Sequence, residues 1–121
     1  MAAGITVTHS RRALSVGRLR DTIIAWECDG SGDLSVNIGV TYKGFLVGVT
    51  FNPTDAAANY DVYIRDEYGA DVLAAAGVNL SDTIPTRLTP AAPIVFYGRH
   101  TIQIDEGGAG KKGQVILYTQ E

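Results

Sequence analysis

Hydrophobic and polar residues alternate along most of this chain with a period of two. In "SVNIGVTYK", Val36, Ile38, Val40 and Tyr42 fall on one side, and Asn37, Gly39, Thr41 and Lys43 on the other; this is the pattern of a half-buried strand. "GFLVGVTFNP" continues in kind, predicting one shared face for Phe45, Val47, Val49 and Phe51. Asn52-Pro53 then ends the run, because proline brings no amide to a ladder. Only Lys43-Gly44 separates the two runs, which leaves open a tight hairpin or a bent continuous strand.

The same period recurs on either side. "RDTIIAWECD" predicts a strand with Ile24, Trp26 and Cys28 on one face. In "NYDVYIRDEYGADVL", Tyr60, Val62 and Ile64 alternate with Asp61, Tyr63 and Arg65; Asp66, Glu67 and Tyr68 then lead to Gly69, which supplies the positive φ of a short hairpin loop. Asp71, Val72 and Leu73 are expected to resume the return strand, and "AAAGVN" to extend it or to form one helical turn ended by Gly77. Two prolines in "RLTPAAPIVFYG" bound a loop before a strand near Ile94. "RHTIQID" places Ile102 and Ile104 inward, and "GQVILYTQ" sets Val115, Leu117 and Thr119 against Ile116, Tyr118 and Gln120. Between them "EGGAGKKG" reads as a glycine-rich hairpin loop.

About seven or eight short strands, with turns roughly every 8 to 15 residues, predict an all-β fold: an antiparallel, jelly-roll-like β-sandwich, or a partly closed barrel. No segment carries a convincing helical period; "RRALSVGRL" is short and contains Gly17. One domain is expected over residues 21–121, preceded by an extended arm or edge segment over residues 1–20. A chain of 121 residues can bury one sufficient core.

Composition refines this picture. Hydrophobic residues make up 45% of the chain and charged residues 19%, below the usual charged share of about 25%, so the surface is rather apolar and suited to being covered by a partner. A net charge of -3 argues against a nucleic-acid binder. No apolar run is long enough to span a bilayer and the start lacks a signal-peptide core, so a cytoplasmic site of synthesis is expected. Arg11, Arg12, Arg18 and Arg20 cluster near the start, whereas residues 55–82 are mainly acidic. The arginines are the candidate partner-binding residues, placed to meet acidic groups on another protein.

Candidate chemistry changes little. Asp61, Asp66, Glu67 and Asp71 are split by alternation between a strand face, a loop and a return strand, whereas paired-carboxylate catalysis needs two acids about 5 to 9 Å apart with one desolvated. "DGSGD" offers Asp29, Ser31 and Asp33 at calcium-loop spacing, but Leu34 stands where glycine is required and Val40 where a bidentate glutamate belongs. "GGAGKKG" has glycines before Lys111 but lacks the rest of a phosphate-binding loop, and a strand follows it. Cys28 is the single cysteine, and His9 and His100 share no ligand spacing. Neither an enzyme nor a cofactor or metal site is expected.

Two segments, "NYDVYIRDEYGADVLAAAGVN" and "GRHTIQIDEGGAGKKGQVILYTQ", resemble short all-β bacteriophage virion proteins of the capsid decoration, or cement, type. The resemblance rests on the Tyr-Asp-Val strand, the Asp-x-x-Gly turn, the following Asp-Val-Leu and a closing strand pair around a Gly/Lys loop, somewhat over a third of the chain. It implies a structural protein on the outer surface of the head. Its partner would be the major capsid protein, its own state a dimer or trimer, its place the virion, with no nucleic acid or membrane bound. Two other readings stay open: a carbohydrate-binding module of a phage fibre, with tyrosines stacking on sugars, and a head–tail connector component.

Overall fold

The computed structural model describes residues 3–11 and 19–120, residues 9–11 by their backbone alone. Among the described residues there are seven strands: β1 (Gly4–Arg11), β2 (Leu19–Glu27), β3 (Leu34–Asn52), β4 (Asp61–Arg65), β5 (Thr86–Leu88), β6 (Ile94–Asp105) and β7 (Lys112–Gln120). They form one antiparallel sheet in the order β1-β2-β7-β3-β6-β4, with β5 also on β3. No helix occurs among the described residues, and the sheet does not close into a barrel.

Two layers arise because this sheet doubles over. Trp26 of β2 packs on Tyr60, next to β4, with ring centroids 5.6 Å apart, although β2 and β4 lie toward opposite ends of the strand order. The long strand β3 makes the fold possible. Its first part pairs only with β6, whereas from Phe45 onward it also pairs with β7. Between Asn37 and Thr41 the β3–β6 register shifts, and Gly39 there takes φ 81°, a left-handed value that suits glycine. A second break on the β7 side, between Leu46 and Gly48, marks where the strand turns from one layer toward the other.

The two runs around Lys43-Gly44 are thus one strand, the second of the two alternatives the sequence leaves open. The break at Val47 overturns the predicted single face for Phe45, Val47, Val49 and Phe51. Leu46, Val49 and Phe51 are fully buried, whereas Phe45 is 46% exposed. An extra residue resets the parity of a strand, and no alternation count reveals it.

Elsewhere the predicted faces hold. Ile24, Trp26 and Cys28, Tyr60, Val62 and Ile64, Ile102 and Ile104, and Val115, Leu117 and Thr119 all point into one core. Trp26 sits in it as an anchor, 2% exposed.

The connections differ from the expected hairpins. β6 and β7 do not pair with each other; each flanks β3, so residues 106–111 cross between layers as an arch. The loop after β2 is a second arch, because β2 pairs with β1 and β7 and not with β3. The two arches bind each other: Gly107 N donates to Gly32 O (2.8 Å), Gly110 N to Asp29 O (3.0 Å) and Cys28 N to Lys111 O (2.9 Å). Gly32 takes φ 85°, and a Cβ there would meet the backbone of Gly108 at 3.1 Å. Glycine-rich composition here serves close backbone approach between loops.

After β4 the chain does not return as a strand. Only an isolated bridge links Arg65 to Asp71, and residues 72–79 wind through turns without a helix. They cover the free edge of β4: Val62 N donates to Gly77 O (2.7 Å), Val72 N to Ile64 O (2.8 Å), and Tyr60 bridges Leu80. A covered edge resists unwanted strand pairing. The short strand β5 falls where the sequence suggests only a loop; three residues are too few for a period.

Candidate functional site

The carboxylates come first, since they decide whether the chain carries chemistry. Each of the four acids between residues 61 and 71 accepts backbone amides. Asp61 Oδ1 accepts from Asn79 N (2.8 Å), Asp66 Oδ1 from Tyr68 N (2.9 Å) and Ala70 N (3.0 Å), and Glu67 Oε1 from Arg99 N (3.1 Å). Asp71 grips three: Oδ1 accepts from Ile64 N and Leu73 N (both 3.1 Å), and Oδ2 from Ala75 N (2.9 Å). Asp66 closes the turn at Gly69, φ 84°, as its sequence predicts. Asp61 does face another acid, Asp105, its register partner across β4 and β6, but both lie on the half-exposed outer face, and Asp105 accepts from Gln103 Nε2. The pair therefore lies on an open strand face and not in a dry cleft of the kind paired-carboxylate chemistry uses.

The calcium-like spacing is used in the same way. Asp29 Oδ1 accepts from Ser31 N (2.8 Å), Ser31 Oγ (2.7 Å) and Asp33 N (3.1 Å), and Asp33 Oδ1 accepts from Glu106 N (3.2 Å). The bond from Ser31 Oγ, then those from the amides of Asp33 and Ser31, hold the Asp29 carboxyl below the ordinary carboxylate range. Among the described residues no three His, Cys, Asp or Glu side chains gather as a metal set. Burial, with Asp29 and Asp33 adding to it, pushes the Cys28 thiol up to about 11, so it stays protonated and unreactive near neutrality.

His100 lies in the core, 2% exposed, stacked on Phe96 at 4.0 Å and edge-on to Tyr42 at 6.0 Å. Burial holds its pKa below the ordinary value; Asp66 and Glu67 on the adjacent loop pull the other way, as does a hydrogen bond to the Gly98 backbone. The folded state therefore favours neutral imidazole, while the unfolded chain takes up a proton near pH 6.5. Stability is expected to fall as pH drops from 7.5 to 5.5. Urea midpoints at the two ends of this window should separate for the natural chain and converge in His100→Phe, which keeps the stack without the titration.

The candidate site is a surface. On the outer face of β3 and β6, Phe45 is paired with Val95 and Lys43 with Tyr97, and Thr41 with Arg99 follows. Phe45 is 46% exposed and Val95 and Tyr97 each 69%. Phe45 and Val95 are direct cross-strand partners and Tyr97 is the diagonal neighbour of Phe45, so the three form one outward apolar patch, the kind of surface a partner covers. Tyr68, 94% exposed, stands on the neighbouring loop, tied to this face through Glu67 and the amide of Arg99. The strip continues past Val47 into a cavity of about 300 Å³ walled by Leu88, Arg87 and the ring of Tyr118, whose hydroxyl lies 3.2 Å from Thr50 Oγ1.

Alternation along β3 hides one member of this patch, since it puts Phe45 inside. The period of "IVFYGRHTIQID" was the usable signal: with Phe96, His100, Ile102 and Ile104 inward, Val95, Tyr97 and Arg99 must face out. Of the predicted arginines, Arg12 and Arg18 lie outside the described residues. Arg11 and Arg20 are register partners at the end of β1 and β2; Arg20 lies close enough to Tyr42 to act on its hydroxyl electrostatically.

A second concavity, about 560 Å³, opens over β1, β2 and β7 beside Thr6, Glu27, Thr54, Lys112 and Gln114, with Lys112 Nζ 3.6 Å from Glu27. Among the described residues no helix is long and apolar enough to cross a membrane. No family model matches this chain, and no curated protein matches it. Among solved structures it is similar to CBM86, a low affinity xylan binding module from the xylanolytic gut symbiont Roseburia intestinalis, at 9% identity and a TM-score of 0.41, over 98% of this chain and 89% of that one.

Proposed function

We propose that this chain is a non-catalytic virion protein of the decoration type, which docks on the major capsid protein shell and stabilises the head. The observation that carries the reading is the outward strip of Phe45, Val95 and Tyr97, set in register on rigid strands. Stabilising a shell needs buried area and shape held in place, and no reactive group. The acids tied to backbone amides fit that use, as does the resemblance of residues 59–79 and 98–120 to such proteins. Self-association as a dimer or trimer belongs to the same proposal and is read from the solution mass.

The test is cosedimentation with shells assembled from the major capsid protein encoded alongside this chain. Saturable binding and a raised shell melting temperature are expected, with about a tenfold or greater loss in Phe45→Ser/Tyr97→Ser, as for central aromatic contacts. Failure of the natural chain to bind any form of the shell overturns the reading. The exposure of Tyr68 and Tyr97 favours one alternative, a fibre-type carbohydrate-binding module, because open tyrosine rings stack on sugars. Glycan-array binding that Tyr68→Ala removes, without shell binding, would establish it.

A further inference from the structure

The charges around the strip carry the reading one step further, to the kind of surface it receives. Lys43 is opposite Tyr97 and Arg99 opposite Thr41, both exposed, so two cations mark one end of the apolar patch. At the other end, beyond Val47, the exposed Arg87 lines the small cavity with Leu88 and Tyr118. Phe45 and Val47 flank the buried Leu46 and share the outer side of β3, which makes the apolar floor continuous between the charged ends.

The nearby acids do not cancel these cations. Glu67, which accepts the amide of Arg99, offsets part of the charge at that end, but Lys43 there and Arg87 at the other end remain, and Asp21, the register partner of Tyr118, is buried. An apolar floor with cations at both ends, on a chain of net charge -3, is selective: it favours a partner whose apolar side chains are bracketed by carboxylates and disfavours a basic one. The break at Val47 leaves a recess where β6 stops and β5 begins, large enough for one aliphatic or aromatic side chain as an anchor.

We infer that the outer face of β3, from Lys43 and Arg99 to Arg87, is a docking site for an acidic, apolar segment of a partner protein, with one apolar side chain seated between Val47, Leu88 and Tyr118. This rests on the docking reading above and names the chemistry of its partner.

The test uses the full chain, labelled for amide NMR and titrated with three end-blocked hexapeptides: alternating Leu and Glu, alternating Leu and Lys, and alternating Ser and Glu. The Leu/Glu peptide is expected to shift residues 43–49, 87–88 and 95–99 saturably and at least tenfold more tightly than the other two. Lys43→Glu/Arg99→Glu should reverse the preference while leaving the remaining spectrum unchanged. Equal affinity for the Glu and Lys peptides, binding of Ser/Glu as tightly as Leu/Glu, no saturable shift, or shifts confined to other faces overturn the inference. Shell binding is read separately: shells that ignore the chain while the Leu/Glu peptide binds would reject the capsid reading and leave this one standing, and shells that bind Lys43→Glu/Arg99→Glu unchanged would do the reverse.

Discussion

Gly113→Val is expected to lower stability by about 3 kcal/mol or more, enough to unfold a marginal domain. Gly113 is the register partner of Trp26 on the β2–β7 ladder. A Cβ at this position would overlap Cζ2 of the indole, lie 2.6 Å from its Cε2 and 3.0 Å from the carbonyl oxygen of Asn52. The indole is held on two further sides. Tyr60 packs on one side of it at 5.6 Å, and Gly107 approaches so closely that a Cβ there would lie 3.4 Å from Cζ3. Overpacking usually costs about 1 to 3 kcal/mol because neighbours yield a little; here the atoms met first are a 2%-exposed ring and a backbone carbonyl, which puts the cost at the upper end. Urea unfolding checks it. The midpoint should fall sharply for Gly113→Val, and Trp26→Phe in the same chain should restore part of the loss by opening space. A midpoint for Gly113→Val within about 0.5 kcal/mol of the natural chain, the usual range for surface changes, would show that β7 slides aside.

Trp26 and Gly113 also show what the sequence can disclose. Alternation around Ile24, Trp26 and Cys28 predicts the buried face correctly, because each strand covers a core on one side and a one-residue slip would expose the whole set. That a bare glycine must lie beneath the indole is a fact of register between strands nearly ninety positions apart, and period-two counting contains no term for it. The arches illustrate the same limit. "DGSGD" and "EGGAGKKG" have the composition of hairpin tips, yet β3 takes β6 on one edge and β7 on the other, and no local signal distinguishes a tip from a crossing. The candidate surface was half legible for a related reason. Val95 and Tyr97 follow from the period of β6, whereas the extra residue at Val47 inverts the reading of Phe45. Strand order, bulges and exposed faces are all non-local, and this fold is built almost wholly from non-local pairings: among the described residues, β1 and β2 are the only sequence-adjacent strands that are neighbours in the sheet. Such topologies fold slowly.

Asp71→Ala should cost about 2 to 4 kcal/mol, although the residue is half-exposed. Its carboxylate receives Ile64 N, Leu73 N and Ala75 N at 2.9 to 3.1 Å. The first is on the outer edge of β4, and the last holds a chain that passes through Ala74 and Ala75 at φ 50° and 65°, a left-handed path that costs roughly 1 kcal/mol or more per non-glycine residue. Without Asp71 that path loses its anchor, the covering segment peels from β4, and Val62 N and Val72 N lose their partners Gly77 O and Ile64 O. Asp71→Asn should recover part of the loss, since one amide oxygen can still accept from Ile64 N and Leu73 N while Ala75 N is released. Hydrogen exchange separates this from a chemical role. Protection should drop at Val62, Ile64 and Val72 in Asp71→Ala, and binding through Phe45, Val95 and Tyr97 should survive on the other part of the sheet. Loss of function with unchanged protection would instead make Asp71 a working group, against the reading of these acids as clasps on the backbone.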